Sequence, residues 1–251
     1  MMLYGDGIHD DTAAIQAMLD SGTAAVMLDV PEKEYLISKT LVLRSDCELC
    51  LSRFTRIVLA PGSDCLMLRS DGTQNVSVSG GIWDMQNMKQ APNPLWTHTY
   101  GAIEHKDYDE RYLGVAFRFF NVKNLIIRDL TLRDPVTFGI QMAEVYQFTV
   151  ANIIFDYNDG NPVMGTMDGV HIEGGCRFGR LVNLQGRCYD DLVAINADDF
   201  WRGPISDITV DGIYAEGSHS AVRLLSTGSR VDNITVSGIY GTFYQYCVGI
   251  T

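Results

Sequence analysis

Six segments of this chain share one shape: 76–82 (VSVSGGI), 124–132 (NLIIRDLTL), 148–156 (FTVANIIFD), 179–187 (GRLVNLQGR), 205–214 (ISDITVDGIY) and 231–240 (VDNITVSGIY). Each is a short run of β-branched and apolar residues, broken by Gly, Asn or Asp. Taking Ile127, Val150, Leu181, Val210 and Val236 as equivalents, the steps are 23, 31, 29 and 26 residues. A period of roughly 20–30 residues built from such strands signals a solenoid. No helical periodicity separates the strands, which excludes a βαβ fold. The expected fold is therefore all-β, a right-handed parallel β-helix, with residues 1–251 forming one domain. Earlier strand-like alternation at 25–30, 35–37, 40–43, 48–51, 56–59 and 65–68 fits its first coils.

The N-terminal stretch GDGIHDDTAAIQ is different. Asp10 or Asp11 suits a helix N-cap, and Ala13, Ile15, Met18 and Leu19 give a short amphipathic helix that would plug the open end of the coil. Asp6, Asp10 and Asp11 read either as a metal site or as turn plus cap, and the second reading is preferred. The long intervals 86–112 and 196–204 are expected to be loops thrown out of the coil, where solenoids commonly carry function.

Composition restricts partners. The chain is 46% hydrophobic, enough for a real core, and has no apolar run of about 18 residues that would span a membrane. Its net charge of −12 argues against nucleic acid and anionic membranes. No basic-then-apolar leader opens the chain, which fits a cytoplasmic protein or a secreted one whose leader is gone. Cys47 and Cys50 form a CxxC inside an alternating strand, so they face opposite sides and read as reduced thiols. No cofactor or metal is expected.

The chemistry concentrates in 165–199. Asp168 precedes one short strand, and Asp190 and Asp191 precede the next. The Asp168–Asp191 offset is 23 residues, one repeat. The two would stack on neighbouring rungs with Asp190 beside them. Three carboxylates crowded on one patch are costly unless used. The bland reading is that each Asp caps a strand turn through backbone N–H groups.

These motifs resemble a known family. GDGIHDDTAAIQ is similar to the opening of pectate-lyase-superfamily and polygalacturonase-like β-helices. GGIWDMQN (80–87) resembles their early Gly-Gly coil, and VKNLIIRDLTLRDPVTFGIQM (122–142) the coil before the active site. TMDGVHI and YDDLVAI resemble the two Asp motifs of glycoside hydrolase family 28. The resemblance implies inverting hydrolysis of a pectin-type, uronic-acid-containing polysaccharide or oligosaccharide. It implies Asp190 as general acid, with Asp168 and Asp191 as the bases that activate water. Inversion calls for acid and base carboxyls about 6.5–9.5 Å apart.

The departures from the family pattern are specific. Its "GHG" turn is replaced by GSHS, which puts His219 level with Asp190, either tuning the cluster or sitting as a solvated turn residue. The basic pair of its next coil is absent, since that coil reads Val248-Gly249-Ile250-Thr251. Arg223, on the same face as His171, is the candidate substitute for gripping a sugar carboxylate; the alternative is a surface ion pair. Trp201 and Arg202, Gln141, and the aromatic group Trp96, His98 and Tyr100 are further candidate substrate contacts, or loop anchors. Asp198 and Asp199 read as turn residues rather than a Ca²⁺ site. The chain ends in mid-strand, an uncapped edge that reads either as a C-terminally truncated domain or as an end covered by a second copy. A β-eliminating lyase or epimerase, and a non-catalytic carbohydrate-binding or tailspike-type β-helix, are the other readings this scaffold permits.

Overall fold

Alternation within each short segment turns every second side chain inward, and the inward positions stack coil on coil. The computed structural model describes residues 2–95, 113–161 and 165–251. Its first wall is a column of parallel-paired residues: Val26, Leu49, Val78, Ile127, Val150, Leu181, Val210 and Val236. The five equivalents chosen from sequence are the observed register. A second wall stacks Ile57, Trp83, Leu132, Phe155, Gly186, Ala215 and Gly241. A third stacks Leu68, Phe117, Ile140, Val170, Val193, Val222 and Val248. The result is an all-β parallel β-helix of about eight turns with, among the described residues, one α-helix, α1 (Thr12–Asp20). A continuous apolar core fills its bore.

Corners demand tight turns that keep the pairing. The first wall is entered through Asp46, Asn75, Asn124, Gln147, Phe178, Asp207 and Asn233, all left-handed with φ between 53° and 60°. Asn and Asp tolerate that conformation best among residues with a side chain. Their amides also bond along the axis: Asn75 donates to Asp46 at 2.7 Å, Asn124 to Asn75 at 2.9 Å, and Asn233 to Asp207 at 3.0 Å. A second ladder joins Asn183, Asn152 and Asp129 at the next corner. The Asn and Asp breaks in the sequence repeat are thus the corners of the coil. Gly80 occupies the same corner one turn earlier, where φ is 79° and a Cβ would sit 1.9 Å from the Leu51 carbonyl oxygen, so only glycine fits.

At the N-terminus the capping roles divide. Asp11 holds the N-cap position of α1, but its carboxylate accepts from the backbone N–H groups of Tyr4 and Gly5. Asp10 supplies the bond to the Thr12 N–H, at 2.8 Å. Asp6 accepts from Ile8 and His9. All three carboxylates are engaged in turn and cap geometry. Cys47 is buried and Cys50 faces the other side, and all six cysteines are free thiols.

Candidate active site

The third wall carries the acidic motifs. Val170–Ile172 pairs with Asp191–Asn196, which pairs in turn with the end of Ile205–Leu225, so Val170, Val193 and Val222 are stacked and Asp191 lies level with Ser220. The backbone fixes Asp168 from both sides: Gly139 donates to its carbonyl at 2.9 Å, and Gly169 donates to the Asp191 carbonyl at 3.0 Å. Inward-pointing valines set the register, and the register delivers the carboxylates.

Asp168 is almost sealed. Its Oδ1 accepts from the Asp191 N–H at 2.9 Å, and its Oδ2 meets His171 Nδ1 at 2.7 Å. Burial, then the charge of Asp191, pushes its carboxyl well above the usual range. Asp190 lies beside it and accepts from the Thr166 N–H at 2.9 Å. Burial, followed by the charges of Asp168 and Asp191, raises Asp190 to about 7, against an opposing pull from His219. His219 Nδ1 stands 3.5 Å from Asp190 and 3.4 Å from Asp191, so the offset histidine does join the cluster. Its Nε2 is bonded to Gln245. Arg223 Nη1 lies 3.8 Å from Asp191 Oδ2.

Exposure separates the three acids. The Asp168 and Asp191 side chains are 5% and 2% exposed, and that of Asp190 is 25%. Only Asp190 offers an oxygen to a large ligand; the other two can be approached by something the size of water. One separation within the cluster is short. An oxygen of Asp190 and one of Asp191 lie within 4.8 Å, closer than the acid–base separation usual for inversion. The two are sequence neighbours on one rung, with no intervening residue to spread them.

A cavity of about 380 Å³ opens over this group, walled by Asp168, His171, Asp190, Asp191, Arg202 and Arg223 among others. Three candidates stand outside its lining: His219, which meets the acids from the side, Gln141 and Trp201. Gln141 is fully buried one rung below His171, where its amide donates to Glu173 at 2.6 Å. Trp201 packs edge-on against Phe120, its indole N–H donates to Glu144 at 3.1 Å, and its backbone N–H donates to Glu173. It anchors its loop, packed with Phe120 against a small apolar cluster that includes Phe138 and Phe200. Trp96, His98 and Tyr100 lie outside the described residues.

Sequence reading missed other wall residues. Asp198 is a turn residue, receiving the N–H groups of Thr227, Gly228 and Ser229, which hold it well below the usual carboxylate range against the cost of burial. Asp198 and Asp199 both lie in the turn after the strand, and both line the cavity with Phe138 and Asn196. One signal was available: the strand Asp191–Asn196 is buried at every position, and its unbroken apolar centre LVAI is what a strand covered on both faces requires. A larger open groove of about 1320 Å³ runs past Tyr214 and Tyr240 on the second wall. There Arg133 and Asp156 neutralise each other at 2.6 Å, and no stacked carboxylate trio is found among the described residues.

No family model matches the chain. It is 21% identical over 244 residues to a polygalacturonase of Persea americana, covering 94% of this chain and 49% of that protein. Among solved structures, an exopolygalacturonase of Thermotoga maritima superposes with a TM-score of 0.71 at 18% identity, over 94% of this chain and 64% of that one. A family 28 exopolygalacturonase of Yersinia enterocolitica gives 0.69 at 15% identity, over 95% and 54%. The fold is a polygalacturonase-like parallel β-helix. The chain spans about half the length of the curated relative it matches. Within the polygalacturonase-like coil, the carboxylate trio sits on two successive rungs of one wall, with a single acid partly open.

Proposed function

We propose that this chain is a glycoside hydrolase that cleaves a uronic-acid-containing, pectin-type glycan with inversion. Asp190 protonates the leaving oxygen, and Asp168 and Asp191 together deprotonate the attacking water. The observation that carries this reading is the division within the trio. The partly exposed acid is raised to about 7, so it holds a proton near neutrality and can donate it to a glycosidic oxygen. The sealed pair reaches substrate only through a small molecule, which favours water activation over direct attack by a carboxylate. The protons of such a cluster belong to the group as a whole.

Arg223 and Arg202 are the cations on a wall with five aspartates. A uronate would be repelled unless a guanidinium were aimed at it, and Arg223 lies on the rung after the Asp pair. Arg223→Ala is therefore expected to weaken binding of trigalacturonate by about 10- to 150-fold, the loss typical of a charge-assisted contact, and binding of its methyl ester far less. Calorimetric titration of both sugars checks this. Equal losses would make Arg223 a structural partner of Asp191. Incubation with polygalacturonate should give new reducing ends without the near-ultraviolet absorbance of unsaturated products. That absorbance would mean a lyase, and binding without turnover would mean a recognition module.

A further inference from the structure

Two deeply buried polar atoms of residues that line the cavity have no hydrogen-bond partner among the described residues: His171 Nε2 and Asn196 Oδ1. Both side chains are buried, at 1% and 4% exposure, and both residues line the cavity. Unpartnered polar groups this deep are costly and call for an explanation. We infer that His171 and Asn196, with Asp199 behind them, form a subsite that takes one ring hydroxyl of the bound sugar and refuses a carboxylate there. The inference rests on the reading of this cavity as a sugar site and specifies which group of the sugar enters its floor.

The chemistry of each partner fixes its role. Asn196 places its amide 2.6 Å from Asp199 Oδ2. A carboxylate only accepts, so the amide nitrogen must face it and the amide oxygen is left free as an acceptor. His171 is held by Asp168 at Nδ1 and stacks flat on Phe138, with ring centroids 3.9 Å apart. Its Nε2 points toward Glu173 and Asp199 oxygens at 3.6 and 3.7 Å, too far to bond but set to favour a hydrogen there. The Asp168–His171 pair supplies that hydrogen. A carboxylate–imidazolium pair carries one there and leaves Asp168 ionised, as its part in water activation requires.

The floor thus offers one donor and one acceptor. A hydroxyl satisfies both, accepting from Nε2–H and donating to Asn196 Oδ1. A carboxylate satisfies only the donor and faces the oxygens of Asn196, Asp199 and Asp168. A deoxy position leaves both buried groups unpaired, the situation in which sites built for a hydroxyl discriminate most. The sugar is thereby oriented, with its carboxylate at the Arg223 rim and a hydroxyl in the floor.

Two measurements test this. A high-resolution crystal structure of the sugar-free protein should contain a water bridging His171 Nε2 and Asn196 Oδ1. Contacts from other protein groups to both atoms would overturn the inference. Calorimetric binding of trigalacturonate and its methyl ester, in an Asp190→Asn chain that cannot turn them over, should weaken about 10- to 100-fold with His171→Asn or Asn196→Ala. The Asn at 171 can still donate to Asp168 in place of Nδ1. Both sugars present the same hydroxyls, so the loss should be equal for the two, unlike that of Arg223→Ala. The double variant should lose little more than either single one, because both contacts serve one hydroxyl. Unchanged affinity, or fully additive losses, would overturn the subsite. If the parent binds neither sugar, the uronide reading fails and the bridging water alone decides.

Discussion

Asp190→Asn should lower kcat on polygalacturonate by about 10³-fold or more while making the protein more stable at neutral and alkaline pH. The loss follows from removing the only partly exposed acid of the trio, since a positioned general acid contributes roughly 10²–10⁴-fold. The gain follows from proton linkage. Asp190 titrates at about 7 in the folded chain and near 4 when unfolded. Between those values the folded state binds more protons, so stability falls as pH rises through that window, and the full penalty is present above it. Asn removes the ionisation and keeps an oxygen for the Thr166 N–H. At pH 8 the gain should be on the order of 3 kcal/mol, and near pH 4 it should vanish. Calorimetric melting at both values checks this; equal shifts at the two would mean that Asp190 is an ordinary surface carboxylate. Activity of the unmutated protein should fall above about pH 7 for the same reason.

Trp83→Ala should have the opposite pair of effects. Trp83 is fully buried in the second wall between Ile57 and Leu132, edge-on to Phe117 at 4.8 Å, with its indole N–H bonded to the Gly80 carbonyl at 3.1 Å. Truncation empties the bore at that rung and strips the corner carbonyl of its donor. The expected cost is about 3–5 kcal/mol. Urea unfolding should show a lower midpoint with an unchanged slope. A solenoid passes damage mainly to neighbouring coils, so kcat measured well below the melting transition should be retained. A matching loss of kcat would show coupling along the axis that stacked rungs do not provide.

Much of this arrangement was legible because the coil makes local demands. An inward apolar residue must recur on every rung, so Ile127, Val150, Leu181, Val210 and Val236 betray the register. From the register the proximity of Asp168, Asp190, Asp191, His219 and Arg223 follows directly. Features that depend on distant chain were not legible. Asn196 and Asp199 look like turn residues, and only the loops folded over the strand make them cavity wall. Trp201 looks like a sugar platform, yet Phe120 and Glu144, some 80 and 57 positions earlier in the chain, claim its ring. The caps of α1 were divisible between two adjacent aspartates until Tyr4 and Gly5 came into place.

The short distance between Asp190 and Asp191 makes stereochemistry the decisive observable. Proton NMR of the reducing-end anomer released from an α-linked oligogalacturonide, recorded before mutarotation, tests the division of roles within the trio. Water delivered by the sealed Asp168–Asp191 pair yields the β anomer first. An initial α anomer would mean that a carboxylate attacks the sugar directly, and would contradict the assignment of the buried acids to water.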